Sequence, residues 1–131
     1  MSSNQAMPDA RARVFEAINA ERRRQDEKWD EQNHPDVDPV LTGRPGGCDP
    51  QRMAEEYEIP TATRARANCD GEAKAGNCTW AHIAVEEMAE AVEAATDAAQ
   101  GRGVLAALRK ELVQLAAVIV AWIEAIDRRG A

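Results

Sequence analysis

The chain reads as an all-α helical bundle, and three observations carry that reading. Alanine is abundant, apolar residues recur at helical spacing over long stretches, and no segment keeps the period-two alternation of a strand. At 131 residues the chain has the length of a single domain, 1–131, and can bury a core of useful size.

Residues 1–8 read as a flexible N-terminus. A first helix is expected over 9–29, after Pro8 and with Asp9 near its start, placing Val14, Ile18, Gln25 and Trp29 on one face. Residues 30–49 hold three prolines and three glycines and predict a loop. Its length exceeds the usual connection, which often signals a functional loop. Asp49 followed by Pro50 makes an N-cap with proline at the first helical position. A short helix through Tyr57 follows, stopped at Pro60. A further helical piece spans 61–74, with an interruption or end expected near Gly71 or Gly76. Thr79 caps a long helix from Trp80 to about Gln100, Gly101 to Gly103 break it, and a last helix runs from Val104 to about Arg128. So short a connection makes the last two helices an antiparallel hairpin.

A net charge of −7 argues against a nucleic-acid polymer or an anionic membrane as partner. It suits nucleotides only where a divalent cation neutralises their phosphates. The N-terminal residues lack the apolar core of a signal peptide. The longest apolar run, LAAVIVAWI at 115–123, is far below the roughly 20 residues of a membrane span. Cys48, Cys69 and Cys78 are odd in number, so a complete disulfide framework is impossible, and a reduced, cytoplasmic protein is expected. A zinc set of Cys69, Cys78 and His82, with or without Cys48, is an alternative, but no Cys-x2-Cys knuckle supports it.

The segment VEEMAEAVEAATD, 85–97, carries five carboxylates and no cation. Like charges one turn apart destabilise a helix. At about 100° per residue, Trp80, Ile83, Met88, Ala91, Val92 and Ala95 share an apolar face. Glu86, Glu90, Glu93 and Asp97 form a stripe along its edge, and Glu87 falls inside the apolar arc. In the last helix Glu111 lies between Leu108 and Leu115 on the core face, with Gln114 at its margin. Glu87, Glu90 and Glu111 are therefore expected to point into the bundle. A carboxylate buried alone costs several kcal/mol, so it takes up a proton or finds a partner. Arg22, Arg102 and Arg109 are candidate partners; hard Mg²⁺, which takes oxygen ligands, satisfies several carboxylates at once. The plainer alternative is a solvated acidic face, since E-E-x-x-E alone is common on exposed helices.

Glu86-Glu87-Met88-Ala89-Glu90, then twenty residues, then Glu111-Leu112-Val113-Gln114 resembles the E-E-x-x-E … E-x-x-D signature of the MazG-type all-α nucleoside triphosphate pyrophosphohydrolases. The stretch Arg24-Gln25-Asp26-Glu27-Lys28-Trp29 is similar to an R-Q-x-x-K-W segment of short phage and actinobacterial members, as is the tail from Leu108 to Val118. The likeness covers 16–29 and 79–127, and is loose over 30–78. It implies a MazG-like bundle, a homodimer or homotetramer, that hydrolyses NTP or dNTP to the monophosphate and pyrophosphate with Mg²⁺, or Mn²⁺ in its place. The resemblance makes Glu87, Glu90, Glu111 and Gln114 the metal ligands, with Glu86 assisting as an outer-shell ligand or as the group that orients the attacking water. Gln25, Lys28, Trp29, Trp80 and Asp97 are then the substrate-binding candidates.

Gln114 departs from the family pattern, which has Asp there. Gln114 then binds through its carbonyl oxygen, or Asp97 or Glu93 replaces the missing carboxylate, or turnover is weak or lost and the protein sequesters a nucleotide. A structural helical dimerisation module is a further alternative. The two long helices are apolar over more than half their circumference, with Val113, Ala116, Val120 and Ile123 beyond the central stripe, and this predicts a helical partner surface.

Overall fold

The computed structural model describes residues 3–130, with side chains from residue 9 onward. Its elements are α1 (Ser3–Trp29), α2 (Pro39–Thr42), α3 (Pro50–Glu56), α4 (Ala62–Lys74), α5 (Trp80–Ala99) and α6 (Leu105–Gly130), with no strand among the described residues. The expected all-α class is the observed one.

By contact the chain divides into two compact units. One is Pro35–Val118; the other joins the residues up to His34 with those from Ile119 onward, so that α6 contributes to both.

In the Pro35–Val118 unit, α5 is the central element. α2, α3 and α4 all pack against it. Its alanines permit close approach on two sides: Ala89 joins Ala62 and Ala65 of α4, while Ala91 and Ala95 join Val37, Leu41, Cys48, Met53 and Leu108. Leu41 and Met53 are almost wholly buried, each contributing roughly 1.5–3 kcal/mol of transfer free energy. Leu108 packs near Ala91 and Ala95, while Glu111, one turn further along α6, meets Glu87 and Glu90, one turn earlier along α5. That order makes α5 and α6 the antiparallel hairpin expected from the sequence.

The caps read from the sequence hold. Asp49 accepts a hydrogen bond from the Arg52 N–H at 2.8 Å; Thr61, a cap not expected from the sequence, accepts from the Arg64 N–H at 3.2 Å. Thr79 accepts from His82 at 3.1 Å. His82 Nδ1 in turn accepts from the Thr79 N–H at 3.2 Å, closing a reciprocal cap with histidine where glutamate or glutamine is usual. α4 runs through Gly71 without interruption and ends before Gly76, whose φ of +77° reverses the chain.

Two boundaries differ from expectation. α1 begins at Ser3 and passes through Pro8, whose fixed φ is helix-compatible, so 3–8 are helical backbone. Met1 and Ser2 lie outside the described residues. The 30–49 loop contains the one-turn helix α2, capped by Asp38, which accepts from the Val40 N–H at 2.9 Å. The loop is also tied down at its end. Gln100 Nε2 donates to the Cys48 carbonyl at 3.0 Å, Gln100 Oε1 accepts from the Cys48 N–H, and Arg102 Nη2 donates to the same carbonyl at 3.3 Å. Proline and glycine content signalled a turn-rich segment but gave no hint of this clasp.

The other unit is sparer. Val14 on α1 and Val120 and Glu124 on α6 are buried, and Arg11 Nε donates to Glu124 Oε1 at 3.4 Å. Phe15, Ile18, Trp29, Ile119 and Ile126 remain exposed. The helical spacing of Val104, Leu105, Leu108, Leu112, Leu115, Val118, Ile119, Trp122 and Ile126 makes them the expected core face of the last helix. Leu108 is buried and Leu115, Val118 and Trp122 are half-buried, but Val104, just before α6, and Leu105, Leu112, Ile119 and Ile126 are exposed. The regular spacing made a continuous stripe, and too little of the chain packs over it.

Candidate metal centre

Helical spacing brings three carboxylates together across the hairpin. Glu87 and Glu90 lie three residues apart on α5, and Glu111 comes from the first turns of α6. Each offers an oxygen within 4.8 Å of the others, and each is half-buried. Among the described residues this is the one group of three or more Cys, His, Asp or Glu side chains so close together.

The electrostatics of the cluster are unresolved by the protein itself. One oxygen of Glu87 and one of Glu111 are buried with no hydrogen-bond partner, an arrangement that costs about 1–3 kcal/mol per group or more where it carries charge. Burial, then the charges of Glu90, Glu111 and Glu86, push Glu87 above the usual carboxylate value. Burial and then Glu90 push Glu111 up, against the pull of Lys110 and Arg66. Glu90 alone has a cationic partner, Arg66 Nη2 on α4 at 3.0 Å.

The donor set fits a hard divalent cation. Mg²⁺ takes oxygen ligands at about 2.0–2.1 Å, so opposite ligands sit roughly 4 Å apart, close to the span of this cluster. Two partnerless oxygens and three converging acidic groups are what such an ion satisfies. Soft-metal chemistry has no comparable site. Cys69 and Cys78 face each other at 3.6 Å, but no third ligand group joins them among the described residues. His82 is engaged in capping α5, and Cys48 lies in the other core cluster.

The remaining candidates are spread along the chain. Glu86 is half-buried beside Glu87, and Gln114 is exposed on α6. Trp80 and Asp97 stand near opposite ends of α5, about 25 Å apart at 1.5 Å per residue. Asp97 is held by Arg102 at 3.5 Å, and neither Asp97 nor Glu93 joins the three carboxylates. In the other unit, Gln25 accepts from Arg22 Nη1 at 2.7 Å. It lines an open cleft of about 660 Å³ with Arg22, Asp26, Asp30, Glu31, Gln32 and His34. Lys28 Nζ sits 4.6 Å from the centre of the Trp29 ring.

Arg66 is the residue that sequence reasoning missed. The arginines considered as partners are otherwise engaged or unconnected to the cluster: Arg22 pairs with Asp26 and Arg102 with Asp97. The available signal lay in α4 itself. Ala62, Ala65 and Cys69 mark its packed face at helical spacing, and Arg66 sits beside that face.

Compared with protein-family models, with curated proteins and with solved structures, the chain matches none of them. No described helix is long and apolar enough to cross a membrane.

Proposed function

We propose that this chain is a Mg²⁺-dependent nucleoside triphosphate pyrophosphohydrolase of the MazG type, cleaving NTP or dNTP to the monophosphate and pyrophosphate. One observation carries the reading: two carboxylate oxygens are buried without partners at the point where α5 and α6 bring Glu87, Glu90 and Glu111 together. Solvated acidic faces do not need such burial. The signature Glu86-Glu87-x-x-Glu90 … Glu111 supplies the reaction class, and the fold is compatible with it.

In this reading Glu87, Glu90 and Glu111 hold the ion, with Mn²⁺ as a substitute. When bound, it neutralises triphosphate charge and lowers the pKa of water, as metal-assisted hydrolysis requires. Glu86 orients the attacking water. Arg66 fixes the Glu90 carboxylate through their ion pair. Trp80, half-buried at the start of α5, is the base-stacking residue of this unit. The exposed apolar residues of α6 support assembly as a homodimer or homotetramer.

Gln114 favours a second reading. Where the resemblance calls for Asp, the neutral side chain adds no charge to the ion, and the protein then binds a nucleotide without cleaving it. Pyrophosphate release from a panel of ribo- and deoxynucleoside triphosphates, with and without Mg²⁺, separates the two. Enzyme activity predicts metal-dependent pyrophosphate, reduced about 100-fold or more in Glu87→Gln and Glu111→Gln. Calorimetric nucleotide binding with no product selects sequestration. Undiminished turnover in both variants would sink the site.

A further inference from the structure

Cys69 closes the last turns of α4 and Cys78 precedes the cap of α5. Their sulfurs are 3.6 Å apart, and a disulfide needs about 2.05 Å, a gap of the size that side-chain rotation closes. The helices that carry them are already held together, through Ala62 and Ala65 of α4 against Ala89 of α5. The intervening turn is set by Gly76 at φ +77°. The third thiol is elsewhere: Cys48 is buried, its Sγ donates to the Asp49 carbonyl at 3.4 Å, and its main chain is clasped by Gln100. Three cysteines thus resolve into one facing pair and one solitary core residue.

We propose that Cys69 and Cys78 are a reversible thiol–disulfide site that tethers α4 to α5 by exchange with a small disulfide of the glutathione class. The two thiols have separate roles. Cys78 is half-buried and reachable, whereas Cys69 is buried. Burial, then its contact with Cys78 and the nearby Glu86, pushes the Cys69 thiol up to about 12, so it does not start the exchange. The Cys78 thiolate attacks one sulfur of glutathione disulfide, forming a mixed disulfide and expelling one glutathione thiolate. Cys69 then attacks the Cys78 sulfur, its proton passing to the second glutathione as that leaves. The protein loses two protons and two electrons, and one glutathione disulfide becomes two glutathione molecules.

The test uses the full chain, reduced and then equilibrated in glutathione buffers of increasing oxidised fraction. After quenching with N-ethylmaleimide and digestion with trypsin without reductant, cleavage after Lys74 separates the two cysteines. A Cys69–Cys78 disulfide then appears as peptide 67–74 joined to peptide 75–102. The joined pair is expected to grow with oxidised fraction, to vanish in Cys78→Ser and in Cys69→Ser, and to leave Cys48 alkylatable after denaturation. The oxidised protein should melt higher than the reduced one by roughly 5 °C. Circular dichroism establishes that each variant is folded; should one fail, the other carries the control. A reaction that stops at a glutathione adduct on Cys78, two thiols that stay alkylatable in oxidising buffer, or a disulfide that lowers Tm would each overturn the proposal.

Discussion

α5 and α6 are the two arms of one hairpin, both apolar over much of their surface, yet they fare differently in the fold. α5 is covered: α2, α3, α4 and the first turns of α6 pack around it, and its alanines let them come close. α6 keeps Leu105, Leu112, Val113, Ile119 and Ile126 exposed. Hydrophobic periodicity therefore says which face of a helix wants cover, not whether its own chain supplies it. Small residues at α5 mark close packing within the chain; the large aliphatics of α6 are left exposed by the described residues.

Leu108 and Leu112 give this contrast its sharpest test, since they lie one turn apart on the same helix. Leu108 is 8% exposed and Leu112 46%. Leu108→Ala should cost about 2–5 kcal/mol in chemical denaturation, the range for a buried leucine. Leu112→Ala should cost under about 1 kcal/mol in the monomer and should instead weaken self-association, read by analytical ultracentrifugation. Equal losses of monomer stability would erase the distinction between the two helices.

The clasp between the 30–49 loop and the end of α5 ranks next. At Gly47, φ is +77° and an added Cβ would fall 2.2 Å from Gln100 Oε1. Gly47→Ala combines left-handed strain with displacement of the side chain that satisfies both main-chain groups of Cys48. A loss of roughly 1–3 kcal/mol is expected. A control, Gly46→Ala, meets no atom within 4 Å and carries the strain alone at φ +82°. If the two lose equal stability, the Gln100 clasp contributes nothing.

Local chemistry explains what was legible in the sequence. Asp49-Pro50 and Thr79 announce helix starts because a cap depends on residues within one turn. Glu87 and Glu111 were placed inward because each lies among apolar neighbours of its own helix. Arg66 was missed because its partnership with Glu90 spans 24 residues and joins two helices whose packing only the fold decides. Tyr57 offers a parallel case, since its hydroxyl accepts from the Asp38 N–H at 2.9 Å, 19 residues away. α2 was hidden by the same prolines and glycines that read as a loop, although Asp38-Pro39 repeats the Asp-Pro pattern recognised at Asp49-Pro50. The exposure of Leu112 was illegible because a stripe of leucines looks the same whether or not another helix reaches it.

The smallest expected effect concerns the three carboxylates where the two arms meet. Glu87 and Glu111 are held above the usual glutamate value of 4.5 by burial and by one another's neighbours. A carboxyl whose folded-state pKa is raised binds its proton more tightly when folded than when unfolded. Its stabilising contribution is therefore fully present below that ordinary value and is lost as pH rises through the raised one. In metal-free buffer, Tm should accordingly fall across this window in the wild type and fall less in Glu87→Gln, which has no proton to lose there. Saturating Mg²⁺ should remove the difference by favouring the ionised form in the folded state. Parallel pH profiles for the two proteins, unmoved by Mg²⁺, would mean that the acidic face of α5 is merely wet, and that the contrast between the arms ends with their apolar residues.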